Sequence, residues 1–200
     1  NGKVIDKPLK AEGPNPLCRD ALNKEPDPLQ PENFLSAGTL LTFGKFKFLN
    51  LGDLTWDREL MLACPANKIG PVTLFQATHH GFFNDLSGPP ALVWAVKPQV
   101  VIVANGPTKG LTAGGYETLA KIPGVEGIWQ GHRAVRNDDA HNTSEPMIAN
   151  LAATQDETKG NWINASVSKD GSFTVTNSRN NFSKTIEPVD TLREIVAARR

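Results

Sequence analysis

The sequence has few of the residues that usually mark a site or a compartment. Its 200 residues include one Tyr, two Met, two Cys and four His. Neither Cys18 nor Cys64 belongs to a C-x-x-C pair, which argues against a cysteine zinc site. The two thiols either join as one disulfide, which implies an oxidising, secreted or periplasmic setting, or remain free. No apolar run reaches the ~20 residues that a membrane-spanning helix needs. Net charge is also missing: 21 basic and 21 acidic residues cancel, so the broad positive footprint of a nucleic-acid binder is absent. The start, Asn1-Gly2-Lys3, has neither an initiator Met nor the pattern of a secretory leader, and a longer parent chain is expected.

What is present suits one globular domain. Hydrophobic residues make up 39% and charged ones 21%, enough apolar side chains to build a core at this length. Residues 1–34 carry Pro8, Pro14, Pro16, Pro26, Pro28 and Pro31 and read as a long irregular surface segment. Residues 35–187 read as the ordered domain, and 188–200 as a charged helix or tail opened by Asp190. Thr39 to Leu51, broken by Gly44-Lys45, predicts a β-hairpin. Trp56 to Ala63 predicts a helix, capped by Thr55 or Asp53 and stopped by Pro65. A strand over Pro71 to Ala77 ends at Thr78-His79-His80-Gly81. Pro89-Pro90 opens a helix running to Val96, and Gln99 to Ala104 is an apolar run of the kind found in strands covered on both faces. A helix around Tyr116 to Ile122, a strand over Gly127 to Gln130, and a helix through Met147, Ile148 and Leu151, capped by Thr143 or Ser144, come next. Trp162 to Val167 and Phe173 to Thr176, joined through Asp170-Gly171, form a second hairpin. Strands alternating with helices predict a layered α/β domain. N-x-[ST] patterns occur at Asn142, Asn164 and Asn181.

Two groups at strand ends carry the chemical interest. Asp53 follows Gly52 just beyond a strand; it is either a metal-bridging carboxylate or simply the cap of the next helix. His79 and His80 also leave a strand, and neutral imidazole suits zinc; the alternative is a structural or surface pair. A strand ending in Gly-Asp, a helix, and a strand ending in His-His-Gly set both groups at one edge of a parallel sheet. Weaker candidates are Lys109 in the Asn105–Gly110 loop, His132 after Gly131, and His141 in the polar stretch Asp138–Glu145. A solvated loop with a helix cap also accounts for that stretch. The loop at Lys109 lacks the Gly-Lys-Ser/Thr ending of a phosphate-binding loop.

Phe48-Leu-Asn-Leu-Gly-Asp53-Leu followed by Val72-Thr-Leu-Phe-Gln-Ala-Thr-His79-His80-Gly81 resembles the late motifs of the metallo-β-lactamase superfamily, closest to the branch with the competence-type DNA-uptake proteins. The helix end at Lys97-Pro98 and the strand Val100 to Ala104 fit it, and the resemblance spans roughly Leu40 to Val175. It implies an α/β fold, the C-terminal half of an αββα sandwich with a mixed sheet and flanking helices. It also implies metal-dependent hydrolysis. Asp53 would bridge two zinc ions, with manganese or iron as alternatives. One of His79 and His80 would be the last histidine ligand, with His79 favoured because it leaves the strand directly, and the other would face substrate. Lys109 and His141 would contact substrate, a small molecule or a phosphodiester.

The departures matter as much. The signature His-x-His-x-Asp-His is absent, and no His precedes His79. A site with so few ligands is incomplete. The expected partner is therefore an N-terminal half of the same fold, upstream or on a separate chain, packed on a sheet face that would otherwise stay bare. The rival expectation is a non-catalytic binding or structural module on this fold.

Overall fold

Parallel strands dominate the computed structural model, which describes residues 3–9, 13–82, 85–153 and 157–188. A six-stranded sheet has the order β1 (Thr39–Phe43), β2 (Phe46–Asn50), β3 (Leu74–Gln76), β4 (Val100–Val103), β5 (Gly127–His132), β6 (Ile148–Asn150). β1 and β2 form the expected antiparallel hairpin, and every later neighbour is parallel. A second sheet, antiparallel throughout, has the order β7 (Ile163–Val167), β8 (Phe173–Asn177), β9 (Ser183–Ile186). The chain is thus α/β, with a mixed sheet flanked by helices. These are α1 (Trp56–Ala63), the short turn α2 (Thr78–Phe82), α3 (Pro90–Val93) and α4 (Ala113–Ala120).

Alternation along the strands builds two cores. Leu49, Phe75, Val101 and Val103 face α1, α3 and α4, which supply Leu62, Ala63, Leu92, Val93 and Leu119. Phe46, Leu74, Val100 and Trp129 face the other way and meet Phe173, Val175 and Ile186 of the small sheet. Each such side chain, fully buried, contributes about 1.5–3 kcal/mol. The bare sheet face expected from the sequence is therefore largely filled: β7–β9 lie over it. β9 carries little sequence signal, because Ser-Lys-Thr-Ile buries only its last residue. What stays open is the β1 edge, where Leu41 and Phe43 are about half exposed (50% and 47%).

One predicted helix is a strand. Glu145–Met147 makes a single 3-10 turn, without a cap bond from Ser144, and Ile148–Asn150 then pairs with β5. Three apolar residues cannot distinguish the two periodicities, and the free edge of β5 decides for the strand. The final helix expected from Asp190 lies outside the described residues.

The proline-rich segment is irregular but tied down. It has short 3-10 turns at Pro16–Cys18 and Asn33–Leu35, and Cys18 is disulfide-bonded to Cys64 at the end of α1. The Asn15 amide donates to the carbonyls of Ala63 (3.1 Å) and Ala91 (2.8 Å), joining α1, α3 and the segment.

Candidate metal centre

β2, β3, β4 and β5 run parallel, so their carboxyl ends share one rim, the edge where sites of open α/β sheets form. Asp53 reaches this rim through a tight turn. The Gly52 amide donates to Asn50 Oδ1 (2.8 Å), Gly52 has φ +61°, and the Asp53 amide donates to Ser36 Oγ (3.2 Å). Thr55, not Asp53, occupies the N-cap of α1. The carboxylate is therefore not spent on capping, which removes the bland account of this residue.

The segment after β3 is unusual. The backbone of α2 is left-handed: His79 has φ 51°, ψ 50°, His80 φ 60°, ψ 27°, and Gly81 φ 91°, ψ 48°. Phe82 follows with φ 64°. Each non-glycine residue there costs about 1–2 kcal/mol. Tertiary contacts hold the turn. The His79 amide donates to Gly52 O (2.9 Å), the Leu111 amide donates to His80 O (3.0 Å), and Phe82 is buried. Gly110 lies so close that a Cβ there would sit 1.9 Å from His80 O.

This backbone turns the two imidazoles apart. His79 is only 3% exposed. Burial pulls its pKa below the usual value; Asp53 and, more weakly, Asp27 oppose that shift, while His80 and Lys109 add to it. His80 points to the rim. Its Nδ1 lies 3.0 Å from Ala104 O, and its Nε2 lies 3.8 Å from Asp53 Oδ1. A carbonyl only accepts, so Nδ1 carries a proton, and Nε2 is the nitrogen turned toward the carboxylate. The sequence favours His79 as the ligand because it leaves the strand first. The left-handed turn buries that first imidazole and brings the second to the carboxylate of Asp53.

Two ligands of a tetrahedral zinc with ~2.0 Å bonds stand about 3.3 Å apart. The Asp53–His80 pair, 3.8 Å apart and 38% and 30% exposed, fits as one part of a coordination sphere. It is not a whole one: among the described residues no group of three or more His, Cys, Asp or Glu is placed to hold a metal ion.

The Gly106 amide donates to Lys109 O (2.9 Å), closing a turn that leaves the Lys109 side chain exposed beside the histidines. His132 ends β5, where Asn105 holds its backbone: Asn105 Nδ2 donates to His132 O (2.7 Å). Burial lowers the pKa of this imidazole. His141 is engaged by carboxylates at both ring nitrogens, Asp138 at 2.5 Å and Glu117 at 3.3 Å, which raise its pKa. The stretch around it is structural. Asn142, 5% exposed, accepts from Gln130 Nε2 and the Ala134 amide and donates to Ala134 O and Asp138 O. Of the three N-x-[ST] asparagines, Asn142 is therefore enclosed, while Asn164 and Asn181 are exposed.

Sequence reasoning misses Glu59. It is 0% exposed on α1. Thr78 Oγ1 donates to its Oε1 (2.7 Å) and the Gly88 amide to its Oε2 (2.5 Å). Burial pushes its pKa up to about 8 against the pull of those two bonds. A Glu in an amphipathic helix carries no sequence signal that it faces inward.

No protein-family model, curated protein or solved structure matches this chain.

Proposed function

We propose that this chain is part of a metal-dependent hydrolase of the metallo-β-lactamase superfamily, with Asp53 and His80 as two of its metal ligands. The observation that carries this reading is the Asp53–His80 pair itself. His80 Nε2 faces a carboxylate oxygen of Asp53 across 3.8 Å, an approach made favourable by a proton on Nε2 or by a cation between the two groups. The resemblance of the two strand-end motifs supports a cation.

When bound, zinc would polarise a substrate oxygen and activate water for attack. The chain's own residues do the rest. Ala104 O orients the His80 ring, and Gly52 and Ser36 hold Asp53 at the rim. Lys109, exposed at the same rim, offers an ammonium to an anionic group of substrate. His79, the neighbour of His80, is buried. The remaining ligands would come from an N-terminal half with His-x-His-x-Asp-His.

Zinc and manganese titrations of the full chain by calorimetry test the ligand pair. Weak binding is expected, lost in Asp53→Asn and His80→Ala and kept in His141→Ala. No binding by the wild-type chain, or equal binding by all variants, overturns it. A non-catalytic binding module is the second reading, favoured by the two-donor count among the described residues. Retained folding with no metal response in the complete assembly would establish it instead.

A further inference from the structure

We propose that Glu59 is the positioning residue of this site: from α1 its carboxyl group ties down both ends of the loop that carries His79 and His80. The inference rests on the reading of His80 as a ligand. Glu59 lies on the buried face of α1, beside Leu62 and Ala63, where an apolar side chain would ordinarily sit. A carboxyl group is costly there unless directional bonds offset the loss of water. Its two bonds go to the residue that immediately precedes His79 and to the residue where the loop rejoins the core. Thr78, 1% exposed, donates through its hydroxyl; Gly88 donates through its amide.

Both ends are places where the backbone needs a clamp. Thr78 is the last residue before the left-handed run. Gly88 has φ +76°, and a Cβ there would stand 2.2 Å from the Phe82 ring, so the loop returns tightly over its own aromatic anchor. With both ends fixed, the left-handed run between them aims His80 at Asp53. The Nδ1 bond to Ala104 O then selects one ring orientation. Glu59 acts on the histidines through the backbone, by way of Thr78.

The test compares the full chain with Glu59→Gln, Glu59→Ala and Thr78→Val, each first shown to be folded by circular dichroism. The His80 tautomer is read from imidazole nitrogen shifts, and protection of the His79 and Leu111 amides from hydrogen exchange. In Glu59→Gln the carbonyl still accepts from Gly88 and the amide donates to Thr78 Oγ1, so a single Nδ1–H tautomer is expected, as in the wild type. In Glu59→Ala and Thr78→Val we expect mixed tautomers and exchange faster by up to about tenfold, the loss of one buried hydrogen bond. Zinc affinity should fall in the same two variants.

If Glu59→Ala does not fold, Thr78→Val decides, since it leaves the bond to Gly88. An unchanged tautomer and unchanged exchange in folded Thr78→Val overturn the proposal, as does loss of the tautomer in Glu59→Gln. Zinc failing to bind the wild type would sink the metal reading and leave the tautomer to decide the role of Glu59.

Discussion

At Gly110 the absence of a single atom keeps the site together. The Lys109 loop is pressed against His80, with no room between Gly110 and the His80 carbonyl, and Gly110 has φ +77°. Gly110→Ala should therefore destabilise the fold by about 2–4 kcal/mol, combining left-handed strain with a backbone clash. Urea unfolding checks this; a change under ~0.5 kcal/mol would mean that the loop is not docked on the histidine turn. Asp53 shows how far a residue can be read in isolation. Gly-Asp after a strand reads first as a helix cap, and only the position of Thr55 at the N-cap rules that reading out.

Among the elements, α1 links the site to the rest of the molecule. Its buried Glu59 makes stability depend on pH. A carboxyl group whose folded pKa is raised favours folding fully below its ordinary value and loses that contribution as pH climbs to about 8. The wild type should therefore lose stability relative to Glu59→Gln between about pH 4.5 and 8, by on the order of a few kcal/mol. Thermal melts across this range test it; parallel curves would contradict it. His79 has the opposite sign. Its pKa is lowered by burial, so its contribution is present above the ordinary histidine value and is lost as pH falls.

The other end of α1 is joined to the proline-rich segment. Cys18 and Cys64 are 46 residues apart in sequence, and closing that loop in the unfolded chain is worth about 4 kcal/mol in the chain-entropy account. Cys18→Ser with Cys64→Ser should lower the unfolding free energy read by urea denaturation by an amount of that order, and reduction of the wild type should do the same.

Across the whole molecule, two sheets and a helical layer leave the site at a rim rather than in an enclosed cleft. The β1 edge, with Leu41 and Phe43 exposed, and the two-donor site both suit the larger assembly proposed above. The partner reading predicts that the natural protein, purified intact, contains a segment with His-x-His-x-Asp-His, either covalently joined or as a second chain. Mass and N-terminal analysis of every chain present would show it, and a preparation without such a segment would favour the binding module.

By itself the sequence determined the periodic elements. The hairpin at β1–β2, the helix Trp56–Ala63, the apolar strand β4 and the hairpin β7–β8 are local: alternation, glycine turns and proline stops specify them without the rest of the chain. It also determined that Asp53 and the His79–His80 pair end strands at one rim, because parallel strands joined by helices point the same way. Tertiary structure decided what local signals leave degenerate. It made Ile148–Asn150 a strand, because β5 offered an edge, and joined Cys18 to Cys64. It presented His80 rather than His79, because contacts with Gly52, Ala104, Leu111 and Gly110 stabilise a left-handed turn that no sequence preference of histidine would produce. The strand ends bring the two groups to the rim; the strained turn, held from outside, decides which imidazole meets the carboxylate.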